Sequence, residues 1–168
     1  MSEPNQFKPV NTTMAHAVLH GQKTEIRRIR KGSRVLQIGA VTWLRESWCV
    51  RPDFDDLHVR DIPNTAKVRY GKSHMSTTPL GIQRLGNAMP QWASRLNIQI
   101  VERRIELLRN ITEESCIAEG CVGYAGWETP RQGFTHHWEQ QHGSGSWMLN
   151  PEVYVYVFRL LPKETPNV

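Results

Sequence analysis

A chain of 168 residues and 19.4 kDa is one domain of ordinary size. It is long enough to bury a core and too short for two full domains with a linker. Hydrophobic residues at 39% and charged residues at 22% exclude a disordered chain, and no apolar run approaches the ~18 residues of a membrane helix. The formal charge of +5 disfavours a cationic partner and suits a phosphate-bearing one.

Met1 to Val10 holds no basic-then-apolar pattern, so no secretory signal is expected. Asn11-Thr12-Thr13 followed by MAHAVLH predicts a short helix, capped by Thr12 or Thr13 and ended by Gly21 in the left-handed conformation. The segment Gln22 to Arg34, QKTEIRRIRKGSR, then sets Lys23, Arg27, Arg28, Arg30, Lys31 and Arg34 against Glu25 alone. Outside it, basic and acidic residues cancel, so the whole excess charge belongs to this stretch. Such a cluster is the footprint of a polyanion site or a solvated basic loop, and composition leaves both open. Arg34 to Glu46 reads as strand, turn, strand around Gly39-Ala40, and Ala66 to Tyr70 as a short strand. Between and after these lies an irregular insertion at about 50–90, with Gly71 to Pro90 its longest loop.

Met89 to Arg95 predicts a brief helical turn. In Leu96 to Leu108 the apolar residues Leu96, Ile98 and Ile100 alternate, and then the phase shifts to Val101, Arg103, Ile105 and Leu107. A one-residue shift inside a long strand predicts a β-bulge, of the kind that curls sheets into barrels. Thr112 to Gly120 is a short helix capped by Thr112, with Glu113 and Glu114 at its positive end. Phe134 to His142 is another, closed by Gly143. Glu152 to Leu161 is almost wholly apolar and predicts a strand covered on both faces, followed by a polar tail at 162–168. The order predicts a single α+β domain on a small mixed β-barrel flanked by short helices.

Cys49, Cys116 and Cys121 form no CxxC pair and are read as reduced thiols in the cytoplasm. His136, His137 and His142 match no metal signature and are read as a surface or half-buried helix face. No metal and no cofactor is expected.

The block Gly21-Gln22-Lys23-Thr24-Glu25-Ile26-Arg27-Arg28 resembles the GxKxxExR signature of the ASCH family, whose fold is PUA-like. Further blocks resemble phage and prophage members of that family. They are Trp43-Leu44-Arg45-Glu46-Ser47-Trp48, Met89-Pro90-Gln91-Trp92-Ala93-Ser94-Arg95, and Ile111 to Glu114 with Ala118-Glu119-Gly120. Trp138, Gly143 to Trp147, Asn150-Pro151 and the closing strand complete the set, which runs from about Phe7 to Leu161. The resemblance implies a barrel with a cleft where the first helix meets a strand, and binding of RNA or nucleotides in a bacterial host cell. One branch removes the acetyl group of N4-acetylcytidine with a Lys, a Thr and a Glu, and other members are assigned as ribonucleases. By position that set falls on Lys23, Ile26 and Glu119, so an apolar side chain replaces the hydroxyl.

Amide hydrolysis needs a nucleophile, a proton shuttle and oxyanion stabilisation. Ile26 cannot attack; Lys23 and Glu119 remain as candidate catalytic residues that would activate a water. Binding asks less. Lys23, Arg27, Arg28, Arg45 and Arg95 are candidates for phosphate, Trp92, Trp43 or Tyr124 for base stacking, and Thr24, Glu46 or Glu119 for hydrogen bonds. Against this stand simpler readings: Lys23 with Glu119 as an ion pair, and Trp43, Trp48, Trp138 and Trp147 as core. The expected partner is RNA, single-stranded nucleic acid or a nucleotide; a host protein with an acidic surface is the second kind of partner, and no membrane is expected. The hydrolase acting on an acylated nucleoside or RNA is the alternative.

Overall fold

Asn11 opens the first helix, α1 (Thr12–Leu19), in the computed structural model, which describes residues 7–71, 79–122 and 126–162. The Asn11 side chain accepts the Met14 amide at 2.9 Å, so the cap sits one residue before the expected Thr12 or Thr13. α1 buries Met14, Ala15, Ala17 and Val18, and Gly21, at φ +70°, turns the chain out of it.

Four strands form one antiparallel sheet in the order β1-β6-β5-β2: β1 (Glu25–Ile29), β2 (Val41–Leu44), β5 (Leu96–Leu107) and β6 (Glu152–Leu160). A second, two-stranded sheet pairs β3 (Trp48–Cys49) with β4 (Arg69–Tyr70). All these pairings are antiparallel, so the fold is α+β; closure into a barrel is not among the pairings, and β1 and β2 stand at the sheet's edges. β6 lies between two neighbours, which is why its sequence is apolar from Val153 to Phe158: Val153, Tyr154, Val155, Tyr156 and Phe158 are all buried.

The phase shift of β5 is a bulge. Ile100 pairs with Phe158, but Glu102 pairs with Val157, leaving Val101 as the extra residue. Before it, Ile98 and Ile100 pack into the core. After it, Glu102, Arg104 and Glu106 stand opposite Val157, Val155 and Val153, on the face that also carries Glu25 and Arg27 of β1. The apolar residues of the shifted phase, Val101, Ile105 and Leu107, are exposed rather than buried.

One predicted strand does not form. Of the hairpin over Arg34 to Glu46, only β2 is a strand. The Leu36 amide donates to the Tyr156 hydroxyl at 3.2 Å and its carbonyl accepts from Arg103 at 3.2 Å, so side chains replace the ladder there. The turn at Gly39 is present, with Gly39 donating to the Ile100 carbonyl at 2.8 Å.

Two helices complete the frame. α2 (Glu113–Ala118) is capped by Thr112, which accepts the Ser115 amide at 3.2 Å. α3 (Pro130–His142) starts four residues before the expected Phe134, because Thr129 and Gln132 form a reciprocal capping box ahead of Pro130. Two apolar clusters result. The larger joins α1, α2, α3 and the main sheet; the smaller holds Trp48, Val50, Ile62, Met89 and Ala93. The cysteines are buried free thiols. Among the described residues no helix is long and apolar enough to cross a membrane.

Gly120 locks α2 against α1. It sits at φ +87°, and a Cβ there would meet Met14 Sδ at 3.0 Å and Lys23 Cβ at 3.2 Å. Gly120→Ala is expected to lower unfolding free energy by about 1–3 kcal/mol, from left-handed strain and crowding together. Urea unfolding checks this; a change within about 0.5 kcal/mol would show that the packing yields freely.

Candidate functional site

A cavity of about 240 Å³ lies between the edge of β1 and helix α3. Its walls include Lys23, Ile26, Arg27, Arg28 and Glu119 from the signature stretch and the end of α2. Phe134, His137, Trp138, Gln141 and His142 come from α3. That last set has the i, i+3, i+4, i+7, i+8 spacing of a single helix face. The pattern was present in the sequence and marks the residues that a reading confined to metal motifs passes over. His137 is buried against the cavity, not on a surface face.

Lys23 and Glu119 meet in this wall. The Lys23 ammonium donates to the Glu119 carboxylate at 2.6 Å, to the Glu119 carbonyl at 2.9 Å and to the Glu25 carbonyl at 2.9 Å. An ammonium has three hydrogens, so these acceptors take all of them. The second Glu119 oxygen accepts from Arg27 at 2.9 Å. Both Lys23 and Glu119 are 3% exposed. Burial alone would raise the Glu119 carboxyl, but Lys23 and Arg27 outweigh it and hold it below the ordinary value.

The pair belongs to a larger charge network. Arg27 reaches across Val155 from β1 to Glu106 of β5 at 2.8 Å, and also bonds Glu25 at 3.1 Å. Arg104 of β5 returns to Glu25 at 3.2 Å and to Glu106 at 3.2 Å. Lys23, Arg27 and Arg104 thus face Glu25, Glu106 and Glu119, and the charges balance. Arg104, Glu106 and this use of Glu25 were not legible before folding, since the bulge in β5 decides which face they take.

The other candidate residues divide. Arg28 lines the cavity and donates to the Arg34 carbonyl at 3.1 Å. Thr24 does not line it; its amide binds the Ala118 carbonyl at 2.7 Å and its carbonyl accepts from Phe158 at 2.9 Å. Arg45, Glu46, Trp92 and Arg95 also lie outside the cavity. Arg45 donates to the Phe7 carbonyl at 2.6 Å. Glu46 is buried and takes both guanidinium arms of Arg95 at 2.8 and 3.0 Å, while Arg95 stacks over Tyr70 at 4.3 Å. Trp92 packs edge-on to Trp48 at 5.9 Å in the smaller cluster. Tyr124 lies outside the described residues.

The basic stretch is therefore divided between the interior and the surface. Lys23 and Arg27 are buried in the network, and Arg30 pairs with Glu152 at 2.8 Å on the surface. Arg28 is half-buried in the cavity wall, and Lys31 and Arg34 are exposed outside its lining. Burial pushes His137 down to about 4, with Lys23 adding to the effect, and burial likewise lowers His142 to about 4. Both imidazoles are uncharged at neutral pH, and His142 stacks on Trp138 at 4.0 Å. The α3 side of the cavity wall is thus aromatic and uncharged, while Arg28 and Lys8 add positive charge to the rest of the lining. Among the described residues, no group of three His, Cys, Asp or Glu could hold a metal ion.

No protein-family model matches the chain, and no curated protein does. Among solved structures, the chain is similar to an ASCH domain from Lactobacillus crispatus, at 10% identity and a TM-score of 0.48, over 88% of this chain and 69% of that one. It is also similar to a DUF984 protein from Enterococcus faecalis, at 9% identity and a TM-score of 0.49, over 89% and 67%. At these identities no residue role passes from either protein to this chain.

The two imidazoles and the network make stability depend on pH. The unfolded chain protonates both histidines near 6.5 while the folded chain resists until about 4, so stability falls as pH drops through that window. The depressed Glu119 contributes stability above the ordinary carboxylate value and loses it at still lower pH. Urea midpoints measured across this range should decline steadily; replacing His137 and His142 together by Gln should flatten the upper part. Glu119→Gln should cost about 3–5 kcal/mol at neutral pH, because it leaves buried cations uncompensated. A cost below about 1 kcal/mol would show that the network relaxes into water.

Proposed function

We propose that the chain binds RNA or a nucleotide, with a base seated in the cavity beside β1 and the phosphates on the cationic rim. The observation that carries this reading is the meeting of Lys23, Arg28 and Glu119 in one open cavity, with the uncharged aromatic side chains of α3 opposite. The half-buried His142 ring, stacked on the buried Trp138 at 4.0 Å, is the planar group proposed to meet a base, with Phe134 and Trp138 forming the core behind it. At about 240 Å³ the cavity is smaller than the ~300 Å³ and upward of drug-sized sites, and suits a single base rather than a folded segment. Charge compensation inside the wall favours an uncharged ring there. Arg28 and Lys8 line the cavity, and the exposed Lys31 and Arg34 follow Arg28 closely in the chain; these are the cations proposed to meet phosphate.

Single-stranded RNA binding, measured by filter retention against salt, tests this. With about three phosphates neutralised, the log–log slope should be near −2 at roughly −0.7 per phosphate. Arg28→Ala should weaken binding and reduce the slope by about 0.7. A flat salt response, with Arg28→Ala unchanged, would overturn the reading.

One observation favours a second reading, hydrolysis of an acylated nucleoside. The 2.6 Å Lys23–Glu119 contact lies in the wall of this same cavity. Against it, every Lys23 hydrogen and both Glu119 oxygens are already engaged, and Ile26 supplies no hydroxyl. The wild-type chain is therefore expected to release no free cytidine from N4-acetylcytidine, followed by chromatography. Release that disappears in Lys23→Ala would establish the second reading instead. Ile26→Thr restores a hydroxyl at the wall and is the variant in which turnover is to be sought.

A further inference from the structure

β1 is an edge strand, and only one side of its backbone is used by the sheet. The Thr24 carbonyl accepts from Phe158 at 2.9 Å, and the Arg30 amide donates to Glu152 at 2.9 Å. In an antiparallel ladder hydrogen-bonded pairs alternate, so the N–H and C=O groups of Glu25, Arg27 and Ile29 point away from β6. Ile26 and Arg28 on one side-chain face and Arg27 and Ile29 on the other all line the same cavity. The cavity therefore lies on that outward edge.

Both ends of the edge are closed by side chains. Lys23 Nζ donates to the Glu25 carbonyl at 2.9 Å, and the Ser33 hydroxyl donates to the Ile29 carbonyl at 2.5 Å. Between these plugs remain the N–H and C=O of Arg27 and the N–H of Ile29. Among the described residues no hydrogen bond engages these three groups. Backbone groups turned into a cavity call for partners. A window this short is too small for an added β-strand, which needs bonds along several residues. It has the size of one planar group with a donor beside an acceptor, facing the α3 side of the cavity.

We propose that the Arg27 carbonyl and the Ile29 amide read the pairing edge of a nucleobase seated in this cavity, an inference that rests on the nucleotide-binding reading. A ring N–H or exocyclic amine donates to the Arg27 carbonyl. The neighbouring ring nitrogen or exocyclic oxygen accepts from the Ile29 amide. The Arg27 amide is a second donor for a base with a further acceptor on that edge. Recognition by backbone explains how a base is held although the Lys23 and Glu119 side chains are fully engaged with each other and with Arg27 and Glu25.

Calorimetric titration with single-stranded RNA oligomers of each of the four bases identifies the tightest ligand. Its base-methylated version (N3-methyl for a pyrimidine, N1-methyl for a purine) is then compared on the native protein. Methylation of the pairing edge should weaken binding at least about tenfold, since it leaves backbone groups unpaired. Ile29→Pro removes an amide hydrogen that makes no ladder bond, a change an edge strand accepts. It should weaken binding about three- to tenfold, while Ile29→Val stays within about twofold. Equal binding of native and methylated oligomers would overturn the proposal and leave nucleotide binding standing. Failure of all four oligomers to bind would overturn the nucleotide reading itself. The methylation comparison needs no variant, so it decides even if Ile29→Pro does not fold. Displacement of the RNA by a strand-forming peptide would assign the edge to β-addition and overturn the base reading.

Discussion

The Lys23 ammonium joins two parts of the chain that are distant in sequence, the start of β1 and the end of α2. Its three hydrogens go to the carbonyl of β1, to the carbonyl that ends α2, and to the Glu119 carboxylate. The backbone supports the same joint: Lys23 and Glu119 form an isolated antiparallel bridge, and the Thr24 amide binds Ala118. Gly120 lets α1 approach this point because a side chain there would strike Met14 and Lys23. A charge this deep in protein is tolerable only when every hydrogen is satisfied and the counter-charge is adjacent. Arg27 completes the condition by taking the second Glu119 oxygen.

From that joint the charge network spreads across the sheet, and its extent depends on one extra residue. Val101 bulges out of β5 and turns Glu102, Arg104 and Glu106 to the face shared with Glu25 and Arg27. The bridges then pass over the buried Val155 and tie the two strands that flank β6. The consequence for function is that two cations of the basic stretch support the fold. The apparent polyanion footprint shrinks from six residues to the few near the rim. What remains open beside the network is a cavity with an uncharged aromatic side on α3 and a short length of unpaired strand edge. Both suit a flat ligand with hydrogen-bonding edges better than a bare phosphate.

Much of the fold was legible locally. The helix ends at Gly21, Thr112 and Gly143 and the strand at Glu152–Leu160 follow from caps, left-handed glycines and a continuous apolar run. The bulge in β5 was visible as a change of phase, although its effect was not, because phase does not say which partner strand the shifted residues will face. The missing strand near Leu36 failed for a long-range reason: the Tyr156 hydroxyl, far along the chain, satisfies its amide. Among site residues, Lys23, Arg28 and Glu119 were found by motif and do share a cavity. Glu46, Trp92 and Arg95 have suitable chemistry but form a separate support around Tyr70 and Trp48, and Arg45 binds the Phe7 carbonyl.

The net charge of +5 and its address in Gln22 to Arg34 were determined by the sequence alone, since a count of ionisable groups needs no coordinates. So were most helix caps and the long strands, which rest on contacts and patterns between near neighbours in the chain. What that charge does was decided only in three dimensions. Whether a lysine faces water or a buried carboxylate depends on residues some ninety positions away, brought close by strand pairing and helix packing. The same is true of the open edge of β1, because a strand becomes an edge only through the absence of a neighbour in the finished sheet.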